Sequence, residues 1–129
     1  MDVFVYGTLT NPERVASVVD SYAFAGPAHL HGLHLVEGRY PTLAPGGEAA
    51  GRLLRTDELD RIDDYEGVDD GLYVRVSVPR TDGGDAAVYV GDPARLDADA
   101  DWPGEGPFAD RVRAFLDRSE VVVEPVVDR

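Results

Sequence analysis

The chain has 129 residues, a formal net charge of −13, 43% hydrophobic residues and no cysteine. A chain of this size buries about two thirds of its unfolded surface around one core, so two independent domains and global disorder are both poor readings. The excess of acid repels phosphate backbones and anionic lipid, and the lack of thiols removes disulfides, thiolate ligands and sulfur nucleophiles.

The elements read in chain order as follows. Residues 2–6 carry the apolar run Val3, Phe4 and Val5, a buried strand stopped by Gly7. Asn11 before Pro12 is a helix cap with proline in the first turn, and Val15, Val18 and Val19 supply the apolar face. Extended segments are expected over 28–36 and 38–43, then over 49–54 after the turn cluster Pro45, Gly46 and Gly47. Thr56 is expected to cap a second helix, with Asp57 and Glu58 in its first turn and Gly67 as its stop. Residues 73–78 and 86–90 form a hairpin around Asp82, Gly83 and Gly84. A surface loop over 92–106 leads to an amphipathic helix over 107–116, and 121–127 is an edge strand interrupted by Pro125. Strands outnumber the few, separated helices, so the expected class is α+β with a mixed, barrel-like sheet flanked by helices, one domain over 1–129.

No window approaches the ~18 consecutive apolar residues of a membrane span, and no signal-peptide pattern opens the chain, so we expect a cytoplasmic protein without membrane or nucleic-acid partners. All 12 basic residues are arginine, and 17 of the 25 acids are aspartate. Such a balance suits high salt, where a Debye length of about 3 Å screens self-repulsion. The acids are scattered rather than blocked into a tail, which favours a halophilic chain over a cation-sequestering one.

Two constellations can carry chemistry. Glu66 lies seven residues after Leu59 and four after Ile62, and therefore shares their inward stripe. Desolvation, surrounding negative charge and the helix C-terminus would all raise its pKa towards neutrality, the condition for a general base. The alternative is an ion pair with an arginine such as Arg75, or a helix that ends early and leaves the carboxylate in water. Tyr6, Gly7, Thr8 and Leu9 follow the first strand, where successive backbone N–H groups can hold an anion or a developing oxyanion. An ordinary strand-to-helix turn has the same sequence.

Together these residues resemble the gamma-glutamylcyclotransferase family, including its gamma-glutamylamine cyclotransferase-like branch. Val3-Phe4-Val5-Tyr6-Gly7-Thr8-Leu9 is similar to the family's N-terminal substrate loop, and Gly38-Arg39-Tyr40-Pro41 to its next landmark. Ile62-Asp63-Asp64-Tyr65-Glu66-Gly67, followed by Tyr73-Val74-Arg75, resembles the segment with the catalytic glutamate. The resemblance implies a barrel-like sheet and a pocket over the N-terminal loop. It implies a reaction in which the substrate's α-amine attacks its own γ-carbonyl, releasing 5-oxoproline and an amine, with Glu66 as acid and base. Tyr6, Gly7, Thr8 and Leu9 would hold the glutamyl part, Tyr40 and Tyr73 would wall the pocket, and Arg75 would meet Glu66 or a substrate carboxylate. For Tyr40 and Tyr73 the alternative is core packing, and for Arg75 a structural salt bridge. An intramolecular attack needs a base, oxyanion donors and orientation, with no enzyme nucleophile, metal or cofactor. The leaving amine is not specified, a non-catalytic small-molecule-binding module remains the alternative from another class, and the oligomeric state is open.

Three other features are weighed against binding roles. His29 and His31 share a strand face near His34, but no third metal ligand follows from their spacing, and hydrogen-bonded histidines are the expectation. Asp97, Asp99 and Asp101 imitate a calcium loop whose glycine and closing glutamate are replaced by Trp102 and Phe108. Trp102 is expected to anchor its loop on the core.

Overall fold

Consecutive apolar residues at the start of the chain form a strand buried on both faces, β1 (Asp2–Val5). The structure, a computed structural model, describes residues 1–126. β1 pairs antiparallel with β3 (Thr42–Arg55) and parallel with β5 (Asp85–Gly91). With β2 (Ala23–Val36), β4 (Tyr73–Pro79) and β6 (Val122–Pro125), these strands make one sheet in the order β4-β5-β1-β3-β2-β6. The sheet curls until its two edges touch, where Arg80 bridges Val123 and the Thr81 N–H donates to the Val123 carbonyl at 3.0 Å. This is the mixed, barrel-like α+β sheet expected from the pattern, with β6 at an edge; Val127 of the expected last strand lies outside the described residues.

Alternation along β1 divides the apolar residues between two cores. Phe4 faces the inside of the curl, with Leu30, Leu43, Leu53, Val76 and Val88. Trp102 and α4 (Phe108–Arg118) close that side through Val112, Phe108 and Phe115. Val3 and Val5 face the other way, onto Val15 of α1 (Pro12–Val18), Ile62 of α2 (Leu59–Glu66) and Leu96 of α3 (Pro93–Leu96). Trp102 is buried and donates its indole N–H to the Leu43 carbonyl at 3.2 Å, so it anchors its loop as expected. That loop also holds α3, which Asp92 caps by accepting from the Ala94 N–H at 3.0 Å.

The cluster Pro45, Gly46 and Gly47 does not end a strand. It lies inside β3, where Gly46 and Gly47 oppose the single residue Gly32 of β2 in a bulge, all three glycines at positive φ. A second irregularity at Ala25 and Gly26 lets β2 begin earlier than the pattern suggested. The glycines bend the ladder without breaking it, so three expected extended pieces are two strands of 14 residues each. Gly51 is needed for close approach: a Cβ there would lie 2.3 Å from the Val5 carbonyl oxygen. Among the described residues no helix is long and apolar enough to cross a membrane.

Candidate active site

β1 delivers the chain to Tyr6 and Gly7, after which a short 3-10 turn (Thr8–Thr10) leads into α1. Asn11 caps α1 as expected, accepting from the Glu13 N–H at 2.9 Å. Thr10 closes the turn by donating both its N–H, at 3.1 Å, and its hydroxyl, at 2.7 Å, to the Gly7 carbonyl. Arg52 Nη1 braces it from β3 by donating to the Thr10 carbonyl at 2.8 Å. Among the described residues, the amides of Gly7, Thr8 and Leu9 donate to no backbone or side-chain acceptor. Three successive free N–H groups are thus fixed at the carboxyl end of a central strand.

Glu66 is the last residue of α2. The helix stops there because Gly67 takes the left-handed conformation (φ 69°), with the Gly67 N–H donating to Asp64 and the Val68 N–H to Asp63. The helix starts at Leu59, later than expected, because the Thr56 hydroxyl instead donates to the Ser21 carbonyl and accepts from the Glu58 N–H. The Glu58 carboxylate in turn receives the N–H groups of Asp20 and Ser21.

These two chain ends meet in a cavity of about 440 Å³. Its wall includes Tyr6, Gly7, Thr8, Leu9, Tyr40, Tyr73 and Glu66. The Glu66 carboxylate has no hydrogen-bond or ion-pair partner among the described residues, and burial pushes its pKa from 4.5 up to about 7. Burial also raises Tyr6 and Tyr73, reinforced for both by the charge of Glu66. They remain protonated donors: the Tyr6 hydroxyl donates to the Tyr89 carbonyl, and that of Tyr73 to the Pro41 carbonyl at 2.7 Å. Tyr73 thereby holds the segment containing Tyr40, whose own ring is exposed at the rim.

Arg75 is placed elsewhere. It pairs with Asp63 at 3.0 Å, outside the cavity wall, and does not reach Glu66. Asp63 also accepts from the Tyr89 hydroxyl at 2.5 Å. Of the alternatives open for Arg75, the geometry is that of a bridge pinning α2 to β4 and β5. Sequence reasoning passed over Arg14, Tyr65 and Tyr89, which also line the cavity. Tyr65 shares a 2.7 Å hydrogen bond with the Thr8 hydroxyl across the mouth. Arg14 is the only basic side chain on the wall among the described residues, and no acid there pairs with it. Its position in the first turn of the helix that follows the glycine bend was the available signal.

A half-open cavity with an apolar floor and a few converging polar groups has the form of a small-molecule site. The family model for gamma-glutamyl cyclotransferase, AIG2-like, matches residues 3–104, and the chain belongs to that family. The match takes in every residue of the cavity wall and leaves α4 and β6 outside it.

Solved structures agree in fold. A gamma-glutamyl cyclotransferase is 23% identical with a TM-score of 0.56, the alignment covering 70% of this chain and 66% of that one. An uncharacterized human protein is 25% identical with a TM-score of 0.58, over 70% of this chain and 66% of that one. A protein of Arabidopsis thaliana, solved in solution, is 28% identical with a TM-score of 0.55, over 88% of this chain and 80% of that one. The chain therefore spans just under two thirds of the length of the first two. No curated protein matches it.

Proposed function

We propose that the protein is a gamma-glutamyl cyclotransferase that converts a gamma-glutamyl amine, amino acid or peptide into 5-oxoproline and the free amine. Glu66 takes a proton from the substrate's α-ammonium. The α-amine then attacks the γ-carbonyl, forming the ring C–N bond, and charge develops on the carbonyl oxygen. The free amides of Gly7, Thr8 and Leu9 are the donors available to that oxygen. When the old C–N bond breaks, Glu66 passes that proton to the departing nitrogen, and the second proton on the ring nitrogen then leaves through the freed Glu66 carboxylate to the released amine or water, giving the neutral lactam. Raising Glu66 to about 7 narrows the gap to the α-ammonium it deprotonates and lets it return the proton to the departing nitrogen.

The observation that carries this reading is the unpartnered, half-buried Glu66 carboxylate in one cavity with three unsatisfied amides. Tyr6 and Tyr73 shape the glutamyl pocket, and Tyr40, Tyr65 and Arg14 form the rim that meets the leaving amine. The test is a panel of gamma-glutamyl compounds incubated with the protein in high salt, with 5-oxoproline followed by mass spectrometry. Wild-type protein is expected to form it and Glu66→Gln to form none while keeping its fold. Equal turnover by the two would remove Glu66 from the mechanism. Substrate binding without product in the wild type would leave a non-catalytic binding module.

A further inference from the structure

On the outer face of the sheet, away from the cavity wall, lies a side-chain cluster that the proposed chemistry does not use. His29 and His31 alternate onto the outer face of β2, while Ala28 before them and Leu30 between them are buried. In register, His31 stands opposite Glu48 of β3, and His29 opposite Glu124 of β6. Two imidazoles and two carboxylates from three adjacent strands therefore share one patch. The ligand atoms of His29, His31 and Glu48 all lie within 4.8 Å of one another.

The two ring nitrogens of His31 define the environment. Nε2 is 3.0 Å from the Glu124 carboxylate, and Nδ1 is 3.5 Å from that of Glu48. A neutral imidazole has one N–H and one lone pair. With Nε2–H donated to Glu124, Nδ1 turns its lone pair towards Glu48, whose carboxylate also only accepts. Two acceptors facing each other at this distance form an arrangement that suits a cation.

The geometry points to a binding site for a divalent transition metal of the zinc class, held by His29, His31 and Glu48. Glu124 accepts the remaining His31 N–H and so sets its tautomer, as carboxylates commonly do behind metal-bound histidines. Two imidazole nitrogens and one carboxylate suit zinc, copper or nickel, whereas calcium and magnesium take oxygen ligands. Zinc bonds of about 2.0–2.2 Å bring ligand atoms closer than they stand here. The side chains can supply that movement, since His31 is 38% and Glu48 66% exposed. Such an ion would clamp β3, β2 and β6 and stabilise the folded chain by mass action.

Zinc chloride titrated calorimetrically into the full chain, first stripped with a chelator, tests the site. Saturable binding of one ion per chain is expected, together with a higher melting temperature. His29→Asn and His31→Asn should each weaken binding by at least roughly tenfold, and Glu124→Gln by about tenfold. Circular dichroism confirms that the variants are folded. An isotherm unchanged by His31→Asn, or reproduced by calcium, would mean diffuse attraction to the acidic surface and overturn the site. No saturable zinc binding would also overturn it.

Discussion

Glu66 ends α2 with a carboxylate that no arginine reaches, and burial alone accounts for its shift. In the unfolded chain it titrates near 4.5 and in the folded chain near 7. Between those values the folded chain binds the extra proton, so this group's contribution to stability falls as pH rises through the window. Above it, the fold carries a desolvated charge that an amide would not. Glu66→Gln is therefore expected to be more stable than wild type by about 2–3 kcal/mol at about pH 8, the difference shrinking as pH falls towards 4.5. Urea unfolding at several pH values measures this; a variant less stable than wild type at pH ~8 would show that the carboxylate has a partner. On the proposed mechanism, kcat/KM should drop as pH falls below about 7, where the base is already protonated.

Arg14 carries a second expectation at this scale. As the only cation on the wall among the described residues, at the rim, it is placed to meet a carboxylate on the leaving amine. Arg14→Gln should raise KM by about tenfold for gamma-glutamyl amino acids, the effect of one charged hydrogen bond, and leave gamma-glutamyl amines without a carboxylate unchanged. Equal losses for both substrate sets would assign Arg14 to the glutamyl part instead.

At the scale of the element, the site depends on how α2 stops. Gly67 at φ 69° turns the chain immediately after the base, and a Cβ there would also press on Leu72 at 3.2 Å. Gly67→Ala is expected to cost about 1 kcal/mol in urea unfolding and to lower kcat by displacing Glu66, with Asn at this position costing less. No loss of stability would mean that α2 ends by other means. The stop was legible in the sequence because glycine after an apolar helical stripe is a local signal. The bulge at Gly46 and Gly47 was not, because the same glycines that mark turns also let a strand absorb an extra residue when a partner holds both sides. Nor could the sequence choose the partner of Arg75, since Asp63 and Glu66 lie three residues apart on one helix and only the position of β4 selects between them.

For the whole molecule the dominant electrostatic fact is 25 acids against 12 arginines. We propose that the fold is adapted to high salt, which screens this repulsion. The melting temperature should rise steadily as potassium chloride increases from millimolar to molar. An unchanged value would remove the halophilic reading. At the same scale, the curled sheet places Glu66 of α2 and the amides after β1 in one cavity although Leu9 and Glu66 stand 57 positions apart in the chain.

What the sequence determined by itself was local: strands and helices from their apolar periods, the caps at Asn11 and Gly67, and Glu66 as the acid on an apolar stripe. The family resemblance joined the glycine bend to that acid. Only the tertiary structure decided that no arginine neutralises Glu66, that Arg14 stands at the rim, and that Glu48 and Glu124 flank His31. Periodicity reports which face of its own element a residue occupies, whereas a charge or a ligand set depends on neighbours supplied by other strands and helices.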